Sequence, residues 1–487
     1  MSIFFTPDRA LLGDVIPYAE NGKYYLYYLN DKRYNGRIGQ ETTWDLVTTT
    51  DFVHFKDEGT ALPIGARDEL DNCVYTGSVY KEAEGKYHIF YTAQNNVDPR
   101  FTDKNGLPMQ VVVHATSSDL IHWDKHLDEV FLSTGDDYTL ADWRDPFVFR
   151  DEVKNCYTML LAAAKADGSY RRGGCTLACH SDDLIHWTVG EPLYAPDFYL
   201  THECPDLFKM GDKWYLAFST FTDKFLTHYR ISDTPYGPWL APMQDSWDGR
   251  AYYAAKTAET NGERYAFGWI PTRAETSDFG RYEWGGTLVA HQLIQQPDGT
   301  LYVKAPDTLC ASFVHDSTPE MCMQDGPVAQ DDNGIHIDAT YRPSYAVFDH
   351  LPCECMIEAE LEFTEGIRSF GLALHQSNNL DDGYFYKVEP FHQRFVMDMW
   401  PRRILTRNQV NLGGDIPMQS ELERPFVLGE EKVVKLRALV DRDCVVVYLN
   451  DQVAMSTRIY NLLGNQKWGF FAIDGKISVR NIHVKTR

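Results

Sequence analysis

Apolar and polar positions alternate along most of the chain in short runs, each opened by Gly or Asn and dense in aromatic residues. Five runs share one form: Gly22-Lys-Tyr-Tyr-Leu-Tyr-Tyr28, Gly85-Lys-Tyr-His-Ile-Phe-Tyr91, Asn155-Cys-Tyr-Thr-Met-Leu-Leu161, Gly211-Asp-Lys-Trp-Tyr-Leu-Ala-Phe218 and Gly262-Glu-Arg-Tyr-Ala-Phe-Gly-Trp269. A second series trails the first four: Thr50-Asp-Phe-Val-His-Phe55, Ser118-Asp-Leu-Ile-His-Trp123, Asp182-Asp-Leu-Ile-His-Trp187 and Ser232-Asp-Thr-Pro-Tyr-Gly-Pro-Trp239. Period-two runs opened by turn residues predict β-strands. Their recurrence at about 50–70 residues predicts one supersecondary unit per repeat. Two series in constant phase predict four-stranded antiparallel units set radially, an all-β, five-bladed β-propeller. A β-sandwich with chance strand similarity would not hold both series in phase. No stretch sustains a 3.6-residue period, so few helices are expected.

The repeat stops near residue 305. Residues 311–345 are polar and turn-rich, with Pro319, Gly326-Pro327 and Asp331-Asp332-Asn333-Gly334, and read as a connector. Alternating strands resume from 346 without the repeat phase, as in Cys355-Met-Ile-Glu-Ala-Glu-Leu-Glu-Phe363 and Cys444-Val-Val-Val-Tyr-Leu449, which predicts a β-sandwich. The expected organisation is therefore a propeller over 1–310, a connector over 311–345 and a C-terminal β-sandwich over 346–487.

Composition narrows the partners. A hydrophobic fraction of 44% with 14% aromatics excludes a disordered chain. Seventy acidic against 46 basic residues, a net charge of −24, argues against nucleic acid, whose phosphates require Lys and Arg. It argues equally against an anionic membrane surface, and no apolar run approaches the roughly 18 residues of a spanning helix. The start, Met1-Ser2-Ile3-Phe4-Phe5, lacks the basic and apolar regions of an export signal, so the ten cysteines are expected to be reduced and the protein cytoplasmic. Cys175-x3-Cys179 and Cys353-x-Cys355 have no second pair or His cluster to complete a zinc site, so neither metal nor cofactor is expected. Assembly into a homo-oligomer stays open.

Candidate chemistry follows from the repeat phase. The first strand of each propeller unit lines the central channel, so residues just upstream of each strand-two marker converge on it. Asp14, Asp145 and Glu203 hold nearly equivalent positions before Gly22, Asn155 and Gly211. The matching stretches of the other two units are Tyr75-Thr76-Gly77-Ser78 and Tyr253-Ala254-Ala255-Lys256. Any one acid has a plain reading: a turn for Gly13-Asp14, a local ion pair for Arg144-Asp145, an edge charge for Glu203. Three around one axis repel, and such a group persists where a proton is retained or a cation bound. Two carboxyls flanking a sugar bond, one protonated and one ionised, are the minimum for glycoside hydrolysis. Metal binding is the competing reading, weakened because no His accompanies all three.

Trp143-Arg144-Asp145-Pro146 and His202-Glu203-Cys204-Pro205-Asp206 resemble the Arg-Asp-Pro and Glu-Cys-Pro motifs of glycoside hydrolase family 32, the invertases, levanases and inulinases. Trp44-x6-Asp51-Phe-Val-His-Phe55 and Tyr75-Thr-Gly-Ser78 are similar to further motifs of that family, and the C-terminal strands resemble its second domain. The resemblance implies a retaining, exo-acting β-fructofuranosidase acting on a fructoside. Asp14 would be the nucleophile, Glu203 the acid/base and Asp145, beside Arg144, a binder of sugar hydroxyls. Trp44 and Tyr75 would supply apolar walls, and Thr76 and Ser78 hydrogen bonds. Tyr253 and Lys256 would also face substrate, with Lys256 either pairing with Asp145 or Glu203 or recognising an anionic leaving group. Gly13-Asp14-Val15-Ile16-Pro17 departs from the family's Asn-Asp-Pro-Asn-Gly and also resembles the inverting five-bladed arabinanases and β-xylosidases. That family and a non-catalytic carbohydrate-binding propeller are the alternatives.

Overall fold

The computed structural model describes residues 2–133, 135–399 and 422–487; the part of the expected sandwich at 400–421 lies outside them. Each strand-two marker opens at a turn, and the strand that follows is buried on both faces. Lys86–Gln94 is enclosed over Tyr87–Ala93, and Met159, Leu160, Leu161 and Ala162 are all 0% exposed. A strand covered on both faces needs a neighbouring sheet on each side, which a radial stack of sheets provides. The strands opening successive units are Leu11–Glu20, Cys73–Ala83, Tyr138–Asp151, Glu203–Met210 and Tyr253–Thr260. Each touches the next, and the last touches the first. The result is an N-terminal propeller, closed where the N-terminal segment joins the last unit: Leu288 N–H donates to Phe5 O at 2.9 Å.

The second repeated series consists of strand-three to strand-four turns. Asp119 Oδ1 accepts the N–H groups of Ile121 and His122, and its Oδ2 meets His122 Nδ1 at 2.7 Å. Asp183 with Ile185 and His186, and Asp51 with Val53 and His54, repeat the arrangement. The residue after each Asp turns into positive φ, at 59° to 66°, and buries its side chain: Phe52, Leu120 and Leu184. The motif is thus an Asx turn with an apolar anchor, which explains why Asp, an apolar residue and His recur together.

The C-terminal domain is a sandwich of two antiparallel sheets over one large core that includes Phe370, Leu372, Tyr386, Val447, Trp468 and Phe470. The stretch read as a connector is a correction. His315–Ser317 pairs with Lys476–Thr486, Met321–Asp325 with Ser344–Phe348, and Val328–Asp331 with Gly334–Asp338, which itself joins Lys476–Thr486. These are edge and outer strands of the sandwich, so sandwich structure begins at 315. His315–Ser317 and Val328–Asp331 are almost wholly exposed and carry little apolar alternation, so their sequence resembles loop.

The two domains are fixed by buried polar contacts. Asp248 accepts from Ser456 N and Oγ and meets His291 Nε2 at 2.8 Å, while His291 Nδ1 meets Tyr448 Oη at 2.9 Å. Arg424 donates to the carbonyls of Ser246 and Trp247.

Candidate active site

Each inner strand breaks its ladder register near the mouth of the channel. The breaks fall between Leu12 and Val15, between Tyr75 and Gly77, opposite Leu160/Ala162 at Asp145, between Glu203 and Asp206, and between Tyr253 and Lys256. Asp145, Cys204 and Ala254 sit at positive φ of 57°, 51° and 52°. A bulge re-aims side chains that regular alternation would send into the sheet interfaces. Here the bulges gather Asp14, Asp145 and Glu203 into one cleft of about 430 Å³, lined also by Ile38, Gly39, Tyr75, Thr76, Gln94, Gln110, Arg144, Phe221 and Trp284.

The three acids stand in different environments. Asp14 accepts from Thr76 Oγ1, from Trp269 Nε1 at 3.0 Å and from Cys204 Sγ at 3.6 Å. Burial, with the charge of Asp145 second, raises its carboxyl to about 6, against the three donors. Glu203 accepts from Tyr253 Oη and from Arg144 Nη2 at 3.2 Å. Burial again dominates and carries Glu203 to about 7, with Arg144 opposing and the charges of Asp145 and Asp14 assisting. Asp145 is held through Cys204 N–H at 2.9 Å, and its own N–H donates to Thr92 Oγ1 at 2.8 Å. Arg144 spans the group: Nη1 to Asp142 at 2.6 Å, Nη2 to Glu203 and to Thr201 Oγ1 at 3.0 Å, and Nε 3.8 Å from Asp145. Phe225 stacks on Tyr253 at 4.0 Å and 7°, setting the phenol toward Glu203.

Of the residues singled out from sequence, Asp14, Asp145, Glu203, Arg144, Tyr75 and Thr76 line the cleft, and Tyr253 reaches it through Glu203. Thr76 donates its hydroxyl to Asp14. Three expectations are corrected. Trp44 is 0% exposed and donates its indole N–H to Tyr75 O at 2.9 Å, supporting the wall from behind. Ser78, beyond the bulge, accepts Val148 N–H at 3.1 Å and joins neighbouring units. Lys256 is buried, and its ammonium donates to the carbonyls of Gly77 and Pro205 at 3.0 and 3.2 Å; its hydrogen bonds go to neither Asp145 nor Glu203.

Sequence reasoning missed Trp269, Cys204, Trp284, Phe221, Gln94 and Gln110. Trp269 closes the fifth strand-two run, where its repeat position marks it as strand but not as a donor to Asp14. Trp284 explains the glycines beside it. A Cβ on Gly13 would lie 2.0 Å from its ring, and one on Gly39, at φ +66°, 3.2 Å away.

Comparison with known proteins gives a consistent result. Residues 5–305 match the model of the glycosyl hydrolases family 32 N-terminal domain, and residues 346–486 match that of the family 32 C terminal. A levanbiose-producing levanase of Bacillus subtilis (strain 168) is 23% identical over 509 residues, covering 99% of this chain and 89% of the levanase. The crystal structure of an exo-inulinase from Aspergillus awamori superposes with a TM-score of 0.73 at 15% identity, covering 100% of this chain and 99% of that one. A sucrose-6-phosphate hydrolase from Lactobacillus gasseri gives a TM-score of 0.72 at 18% identity, covering 99% and 93%.

Proposed function

The chain belongs to glycosyl hydrolase family 32, and from that premise we propose that it is a retaining, exo-acting β-fructofuranosidase built on a five-bladed propeller. The observation that carries the reading is the convergence of Asp14, Asp145 and Glu203 in one cleft, with Asp14 held by Thr76, Trp269 and Cys204 and Glu203 by Tyr253 and Arg144; burial lifts Asp14 to about 6 and Glu203 to about 7. Between those values Asp14 is the ionised member and Glu203 the protonated one, which is the division a glycosidase requires. Supporting the blade count is the closed ring of five unit-opening strands.

In the proposed reaction Asp14 attacks the anomeric carbon while Glu203 passes its proton to the leaving oxygen, giving a fructosyl ester on Asp14. Glu203, now ionised, takes a proton from water as that water attacks the same carbon and releases Asp14. Loss of charge at Asp14 on ester formation lowers the proton affinity of Glu203, which suits it to the second step. Asp145, beside Arg144, binds sugar hydroxyls and stabilises the positive charge that develops on the sugar ring. Arg144 is the one cation among the described residues lining the cleft, and carboxylates already engage it. That supports neutral substrates, sucrose, fructo-oligosaccharides or levan, over phosphorylated ones. The ten unpaired cysteines support a reducing, cytoplasmic compartment.

The test is incubation with sucrose, 1-kestose, inulin, levan and arabinan. Chromatography should show fructose released from chain ends, and carbon-13 NMR of the first product should show the anomer retained at C2. Release of arabinose, or initial inversion, would sink the proposal.

A further inference from the structure

Lys256 is 2% exposed, and its ammonium hydrogen-bonds to carbonyls, Gly77 O at 3.0 Å and Pro205 O at 3.2 Å, with the Phe147 ring centroid at 5.3 Å and the buried Asp206 carboxylate within reach of its charge but not hydrogen-bonded to it. A buried ammonium so partnered is expensive to keep. What it satisfies explains its presence. Gly77 and Pro205 both lie at the register breaks of their inner strands, and Pro205 falls inside the gap between Glu203 and Asp206. Buried carbonyls at such breaks require partners from outside the ladder, and Lys256 supplies one ammonium to two of them from a third unit. Gly77 is fixed further by close packing, since a Cβ there would fall 1.9 Å from Phe90 O.

The two clamped peptides carry the mounts of the acids. Thr76, next to Gly77, donates to Asp14 Oδ2, and its carbonyl accepts Thr92 Oγ1 at 2.9 Å, the same hydroxyl that takes Asp145 N–H. Cys204, next to Pro205, donates its N–H to Asp145 at 2.9 Å and its thiol to Asp14 at 3.6 Å. We propose that Lys256 is a positioning residue of the cleft, clamping the Gly77 and Pro205 carbonyls of two other propeller units so that Thr76 and Cys204 hold Asp14 and Asp145 in register. The inference rests on the fructosidase reading only in making Asp14 the reacting carboxylate. It acts through hydrogen-bond donors, so a neutral side chain with two amide donors serves in place of the cation.

Three variants and two readouts test it. Lys256→Met removes the donors and keeps the stem. Its loss of geometry should lower kcat about tenfold to a hundredfold with KM little changed. Slackened donors to Asp14 should also raise the Asp14 titration midpoint by about half a pH unit. Lys256→Gln should recover most of kcat and return the midpoint, and Lys256→Arg keeps the comparison alive if the Met variant does not fold. The midpoint is read by carbon-13 NMR of aspartate-labelled protein, with Asp14→Asn assigning the signal. It needs no substrate, so failure of the fructosidase reading, seen as an inactive wild type, is distinct from failure of the clamp. Wild-type kcat and an unmoved midpoint in Lys256→Met would overturn the proposal. So would Lys256→Gln as impaired as Lys256→Met, which would assign the role to charge.

Discussion

Replacing Glu203 by Gln should stabilise the protein while disabling it, and only where Glu203 would be ionised. Glu203 is carried from 4.5 to about 7 chiefly by burial, with Arg144 working against the rise. Between those pH values the folded state keeps a proton that the unfolded state has lost. Stability therefore falls as pH climbs through that window, the opposite of a salt-bridged carboxylate. Integrated over the window at 1.36 kcal/mol per pH unit, the penalty reaches about 3 kcal/mol at pH 8. The side chain is 21% exposed, so solvent screening trims this to about 2 kcal/mol. Gln copies the protonated acid: its oxygen can accept from Arg144 and its amide can donate to the Tyr253 oxygen. At about 2.1 cal/mol/K per residue, a chain of this length unfolding as one unit loses about 1 kcal/mol per degree, so the variant should melt roughly 2 °C higher at pH 8. At pH 4.5 the two proteins should melt together. Scanning calorimetry of both proteins at pH 4.5, 6 and 8 reads the effect as a difference that grows with pH. A variant equally displaced at every pH, or less stable than wild type at pH 8, would refute the placement of Glu203 as a proton-holding, desolvated acid.

Asp14→Asn should cut turnover by several orders of magnitude with folding intact, since it removes the attacking charge but keeps the shape; circular dichroism and steady-state kinetics check both halves. The pH–rate profile of kcat/KM should be a narrow bell with limbs near 6 and 7, the acid limb from Asp14 and the alkaline limb from Glu203. Gly13→Ala should force the Trp284 ring from its seat, costing about 1–3 kcal/mol of stability and lowering kcat/KM at least severalfold; thermal melts and kinetics on sucrose measure the two. Sucrose-6-phosphate should be hydrolysed with lower kcat/KM than sucrose, because a phosphate near the cleft meets three carboxylates and one guanidinium already engaged by carboxylates.

The propeller was legible because its repeat is physical: a doubly buried strand recurs in every unit and one Asx-turn chemistry in three of them. The acids were legible for the same reason, since equivalent positions on inner strands converge on one axis. What the sequence hid was local register. Regular alternation from Tyr75 would send Tyr75 and Gly77 to one face and Thr76 and Ser78 to the other. The break between Tyr75 and Gly77 instead puts both Tyr75 and Thr76 at the cleft and leaves Ser78 between units. Trp44 was misplaced because an aromatic beside a sugar site and one behind its wall carry the same sequence signal. The strands at 315–331 were hidden by exposure: burial patterns such as that of Val328–Asp331 leave almost no apolar alternation to detect.

The same register breaks that defeat pattern reading are what make the site. A ladder without bulges would point Asp14, Asp145 and Glu203 at fixed intervals along flat strands and leave no main-chain group free to hold them. Breaking the ladder exposes the Cys204 N–H to Asp145 and the Gly77 and Pro205 carbonyls to Lys256. Each such break forfeits strand hydrogen bonding and adds backbone strain at Asp145, Cys204 and Ala254. The strain is tolerable because every broken strand is enclosed by neighbouring units that over-determine its path. A channel-lining strand in a closed ring is thus the place where a protein of this architecture can hold three carboxyls together at a stability cost and still fold.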